Sequence, residues 1–134
     1  MSGLVLKLRP RERIMINGVV IENGERRSAL NVITPDANVL RLRDAIHPKD
    51  ANTPVKRVVY IAQLVLAGET DPEEARKQLL VGIEQLSQVF TDRESQMQLE
   101  GAVQNILSAR FYQALRQLRS LMPREKALFE LASS

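Results

Sequence analysis

The spacing of apolar positions changes character near residue 50. Leu4, Leu6 and Leu8 alternate with Val5, Lys7 and Arg9, a period of two that puts an apolar and an increasingly basic set on opposite faces of a strand. Pro10 interrupts, as proline must at a strand end or edge. Arg13 to Ile16, Val19 to Ile21 and Leu30 to Ile33 read as further short strands, and Val39 to Arg43 alternates again. In the last run, Leu40 and Leu42 oppose Arg41 and Arg43. Asn17-Gly18 and Asn23-Gly24 supply the positive φ values of tight hairpin turns, although either pair can instead form a loop corner or a bulge. Thr34-Pro35-Asp36-Ala37-Asn38 predicts a loop. The first half therefore reads as a small antiparallel, barrel-like meander of about five strands. Its edges need covering by helices or by a second subunit.

After residue 50 the period lengthens to that of a helix. Thr53-Pro54 has the form of an N-cap followed by proline in the first turn. Residues 55–67 are apolar on most sides, which predicts a helix buried on several faces and ended by Gly68. Asp71-Pro72-Glu73-Glu74 marks a second helix start, and Thr91-Asp92-Arg93-Glu94 matches a capping box for a third. Ser108 to Arg110 is either a break or a continuation. The stripe Phe111, Ala114, Leu115, Leu118, Leu121 is stopped by Pro123, and residues 124–131 can add a short helix. The fold class is α+β, with a basic β-rich part over 1–48 and a helical bundle of three to four helices over 52–134. No stretch recurs at a fixed period.

Charge separates the same two halves. Residues 1–57 hold 11 Lys/Arg against 6 Asp/Glu, and residues 58–134 hold 8 against 10. A basic half suits a polyanion, and an acidic helical half suits another partner. The chain has no Cys and one His, His47, to which a surface or capping role is assigned. No catalytic triad, His-rich metal site or Gly-rich phosphate loop can be assembled, so an enzyme, a metal site and a cofactor are not expected. No apolar run reaches about 18 residues and no signal peptide opens the chain, which predicts a cytoplasmic protein that does not span a membrane. The basic half has no aromatic residue, so nucleic-acid binding there must rest on arginine, backbone groups and shape.

Several runs carry a resemblance. Leu8-Arg9-Pro10-Arg11-Glu12-Arg13, Ile16-Asn17-Gly18, residues 34–38, Leu42 to Pro48, Gln85 to Phe90 and Ala109 to Leu115 together are similar to the FlbT family over nearly the whole chain. The resemblance implies a post-transcriptional regulator of flagellin synthesis that associates with the 5′ leader of flagellin mRNA, with the sign of regulation open. It also implies a functional link to a flagellin-associated partner, FlaF. A weaker likeness, in Val5-Leu6, Arg9, Glu12, Ile14 to Ile16, Pro35, Val39, Arg41 and Arg43-Asp44, is to the carbon storage regulator family. Those proteins are strand-exchanged β dimers that bind RNA on their first and last strands. It implies that Lys7, Arg9, Arg41 and Arg43 lie close together. The chain departs from that pattern at Leu8 and at Pro10-Arg11.

Two function classes follow. In the first, Lys7, Arg9, Arg11, Arg13, Arg26, Arg27, Arg41 and Arg43 bind the flagellin mRNA leader. In the second, the chain is a protein adaptor or chaperone-like factor for flagellin or FlaF, docking through Val58, Ile61, Leu64, Val65, Phe111 and Leu115, with indirect effects on the message. A homodimer is a natural way to cover the strand edges.

Overall fold

The period-two half forms five antiparallel strands: β1 (Leu4–Leu8), β2 (Arg13–Ile16), β3 (Val19–Glu22), β4 (Ser28–Val32) and β5 (Val39–Arg41). The computed structural model describes residues 3–35 and 37–133, so Asp36 of the expected 34–38 loop lies outside the described residues. The strands do not run as one meander. β1 pairs with β4, with Leu6 opposite Leu30, and β2 sits between β3 and β5 in a second sheet. Asn17 and Gly18, at φ 49° and 83°, make the expected tight turn between β2 and β3.

The second Asn-Gly pair does a different job, and neither residue has positive φ. Asn23 is a staple. Its side-chain amide donates to the carbonyls of Arg9 at 2.7 Å and Arg26 at 2.9 Å, and its Oδ1 accepts from Ser28. The turn it fastens is Arg9-Pro10-Arg11-Glu12, where the Glu12 N–H donates to the Arg9 carbonyl and Arg11 adopts φ 62°. Proline second and a left-handed residue third is type II turn chemistry. Arg11 occupies the position where glycine is cheapest, and its N–H is held by the Gly24 carbonyl.

The helical half consists of α1 (Pro54–Leu66), α2 (Pro72–Val89), α3 (Arg93–Leu107), α4 (Phe111–Arg119) and α5 (Met122–Ser133). The bundle thus has one helix more than the three to four expected. Pro123 does not stop α4; it lies in the first turn of α5, where its missing N–H costs nothing. Thr53 and Asp71 cap α1 and α2 as expected, whereas Asp92 and not Thr91 caps α3, accepting from the Ser95 N–H at 3.0 Å. The Ser95 hydrogen bonds hold the Asp92 carboxyl below its ordinary range, with Arg124 adding to the effect. Ala109, at φ 59°, breaks the chain between α3 and α4. Exposed His47 caps a short turn at Pro48–Asp50, its Nδ1 accepting from the Lys49 N–H.

α1 is the central helix, packed between α2 and α4, which explains its apolar faces. A single cluster of buried side chains joins Leu6, Leu8, Ile14, Val39 and Leu40 of the strands to Val55, Val59, Leu66, Leu115 and Leu118 of the bundle. The strands alone bury too little to be stable. Ordering a residue costs about 1–2 kcal/mol, and burying a Leu or Ile returns about 2. Two buried polar side chains tie the helices to the chain that precedes them. Gln63 accepts from the Ile46 N–H at 2.7 Å and donates to the Ile46 carbonyl at 3.0 Å. Glu125 accepts from the Val55 N–H at 2.9 Å and from the Thr53 hydroxyl, so α5 anchors the start of α1.

Replacing Gln63→Leu strands both polar groups of Ile46 in an apolar setting. The variant is expected to lose about 2 kcal/mol of stability, read as a lower urea midpoint at unchanged m-value. Wild-type stability would contradict the clamp.

Candidate nucleic-acid interface

The basic residues are sorted by one buried acid. Glu12 lies at the end of the β1–β2 turn and is only 8% exposed. Its Oε1 accepts from the Arg9 N–H at 2.9 Å, closing the turn from the side-chain end. Its Oε2 is 3.6 Å from Arg41 Nη1 and 3.6 Å from Arg43 Nε. A carboxylate withdrawn from water needs such partners. Arg41 is correspondingly drawn inward, its side chain 10% exposed, and it donates from Nη2 to the Lys7 carbonyl at 2.8 Å. The strict alternation expected at 39–43 fails here: Val39 and Leu40 are both buried, and the strand ends at Arg41. Arg43 leaves from a 3-10 turn at Leu42–Asp44 and stays half open to solvent.

Around this centre lies an open trough of about 490 Å³ lined by Lys7, Leu8, Arg9, Arg27, Ser28, Ala29, Arg41 and Arg43. The pairing of β1 with β4 makes it, because Lys7 faces Ala29 and Leu8 faces Ser28 in register. Five of the eight candidate nucleic-acid residues therefore meet: Lys7, Arg9, Arg27, Arg41 and Arg43. Among the described residues no acidic side chain lines the trough. Lys7, Arg9 and Arg27 are exposed and have no carboxylate partner among the described residues.

The other three candidates are elsewhere. Arg11 pairs with Glu25 at 3.0 Å and with Glu22 at 3.6 Å, and Arg13 pairs with Glu22 at 2.9 Å. The hydrogen bond from Arg13 lowers the Glu22 carboxyl's pKa, with Arg11 contributing. Such exposed pairs contribute little stability, but they neutralise that face. Arg26 is exposed and does not line the trough.

The six candidate docking residues are mostly core. Val58, Val65, Phe111 and Leu115 are buried in the chain's own interior, because α1 is flanked on two sides and α4 packs on both α1 and α3. Ile61 and Leu64 are half-buried. Ile61 and one edge of Val58 reach a groove of about 480 Å³ between α1 and α2, beside Arg57, Lys77 and Val81. Gly82 permits that close approach, since a Cβ there would sit 2.5 Å from Val58 Cγ1. A larger groove, about 860 Å³, runs beside α5 and has a mixed lining of Lys56, Arg119, Lys126 and Glu130 with Met122 and Phe129.

Sequence reasoning missed Glu12 as the organising acid, and it missed Arg116 and Tyr112, which border a recess continuous with the trough. The available signal was the spacing of Tyr112 and Arg116, four residues apart on one helix face. Among the described residues no cluster of three or more His, Asp or Glu is arranged to hold a metal, and no helix is long and apolar enough to cross a membrane.

Comparison with known proteins fixes the family. The model of the family described as "Flagellar protein FlbT" matches residues 4–129. The chain belongs to the FlbT family. A FlbT relative from Rhodopseudomonas palustris is 37% identical over 127 residues, covering 93% of this chain and 96% of its own length, and is named "Probable flagellum biosynthesis repressor protein FlbT". A FlbT protein of the same name from Allorhizobium ampelinum is 32% identical, over 92% of this chain and 82% of its own length. The Caulobacter vibrioides "Flagellum biosynthesis repressor protein FlbT" is 25% identical, over 91% and 86%. These FlbT names describe a regulatory role, not a catalytic one. No solved structure matches the chain.

Glu12→Gln retains an oxygen for the Arg9 N–H but removes the counter-charge of buried Arg41. The expected loss is about 3 kcal/mol, measured by urea unfolding. Added polyphosphate is expected to restore part of it, because an anion then replaces the missing carboxylate. A variant as stable as wild type would show that Glu12 does not hold the two arginines.

Proposed function

We propose that this protein is a post-transcriptional regulator of flagellin synthesis that acts in the cytoplasm by binding the 5′ leader of flagellin mRNA in the trough between β1, β4 and β5. The observation that carries this reading is the convergence of Lys7, Arg9 and Arg27, all without carboxylate partners among the described residues, beside Arg43 in an open trough. Cations without internal partners are free to exchange counterions for phosphates, which makes binding depend steeply on salt. Membership of a family whose members are named as repressors of flagellum biosynthesis supports the regulatory part. Arg41 supports the site from below, since its guanidinium is already engaged by Glu12 and the Lys7 carbonyl.

A second reading is a protein adaptor that binds flagellin or FlaF. Its support is the α1–α2 groove, where Ile61 and Val81 are rimmed by Arg57 and Lys77. The first reading is preferred because three of the trough's five basic residues have no carboxylate partner among the described residues.

The test is titration of a labelled single-stranded flagellin leader RNA with purified protein at several salt concentrations. Three phosphate contacts imply a slope of log K against log salt of about −2. The variant Lys7→Ala/Arg9→Ala/Arg27→Ala is expected to fold normally and to flatten that slope towards zero. Unchanged binding by the folded triple variant would reject the trough. Capture of flagellin without RNA binding would favour the adaptor.

A further inference from the structure

The basic trough does not end at the strands. A recess of about 340 Å³ shares Lys7, Arg41 and Arg43 with it and continues to Val5, Asp44, Tyr112 and Arg116. Two of these residues belong to α4, in the helical half. Arg116 is exposed, and its guanidinium carbon lies 6.0 Å from the centre of the Tyr112 ring, over that ring. Tyr112 itself is buried and Arg116 is exposed, so the guanidinium lies on the solvent side of a ring held in the core. Arg116 has no carboxylate partner among the described residues. The nearby acid is occupied: Asp44 faces Arg119, whose Nη2 is 3.9 Å from its Oδ1 and whose Nη1 donates to its carbonyl at 2.8 Å. Val5, 56% exposed, supplies an apolar side chain at the mouth.

A flat cation held over an aromatic floor, beside an apolar side chain and next to backbone-binding charges, is a stacking surface for an unpaired base. We propose that Arg116 stacks on an unpaired RNA base whose flanking phosphates occupy the Lys7–Arg43 end of the trough. The inference rests on the RNA reading of the trough and adds to it that the helical half contributes directly to the ligand site. It assigns a chemical preference: single-stranded over double-stranded RNA, since a base locked in a duplex offers no free face.

The experiment compares wild type, Arg116→Ala and Arg116→Lys, each checked for folding by circular dichroism. The probes are a labelled single-stranded oligoribonucleotide, its blunt duplex, and a strand of equal length with the bases removed. Both variants are expected to bind the single strand about tenfold more weakly, because lysine keeps the charge but not the plane. On the base-free strand, Arg116→Lys is expected to match wild type. Full rescue by Arg116→Lys on the single strand would reduce Arg116 to a charge and overturn stacking. Binding of both variants at wild-type strength would overturn any role for α4. Failure of wild-type protein to bind any of the three probes would instead reject the trough as an RNA site, and stacking with it.

Discussion

The basic half is organised by the requirement that the buried Glu12 carboxylate be paired. One oxygen is taken by the backbone of the Pro10 turn, and the other faces two guanidinium groups. Meeting that requirement pulls Arg41 under the surface and fixes it to the carbonyl of Lys7 on β1. The carboxylate thereby links the β1–β4 sheet to the β3–β2–β5 sheet, which share no strand. It also divides the cations into two groups. Arg41 is committed to the fold, Arg43 pairs with the same carboxylate while half open to solvent, and Lys7, Arg9 and Arg27 are left to solvent around them.

Two sheets this small do not stand without the helices. Ile46 is gripped at both its N–H and its carbonyl by Gln63 of α1, and Asp44 is held by Arg119 of α4. The segment between β5 and α1 is thus fastened at the point where the trough turns towards Arg116. The charge asymmetry between the halves reflects this arrangement only in part, because α4 adds Arg116 to the basic surface. The recess that adjoins the trough is lined from both halves, which share one core.

The helices were legible because their signals are local. Thr53-Pro54, Asp71-Pro72 and Gly68 act within one turn of where they stand, and the apolar faces of α1 announced its central place. Strand existence was legible for the same reason, through the alternation of Leu6 and Leu8 with Lys7. Pairing was not, because Leu6 meets Leu30 across a sequence distance that no short pattern encodes. Asn23-Gly24 reads like Asn17-Gly18 but works through its side chain, and only the neighbouring Pro10 turn decides between the two. Glu12 was hidden because nothing local separates a buried Glu from an exposed one; its burial depends on Arg41 and Arg43, about thirty residues away. Phe111 and Leu115 were read as docking residues because an apolar stripe has the same pattern whether it meets a partner or the chain's own core.

The most direct measurement is an amide chemical-shift map of the labelled protein titrated with single-stranded flagellin leader RNA. RNA seated in the trough moves the amides of Lys7, Arg9, Arg27, Ala29 and Arg43 together and leaves Lys77, Val81 and Gln85 on α2 unmoved. Shifts confined to α1 and α2, with the trough silent, would contradict it.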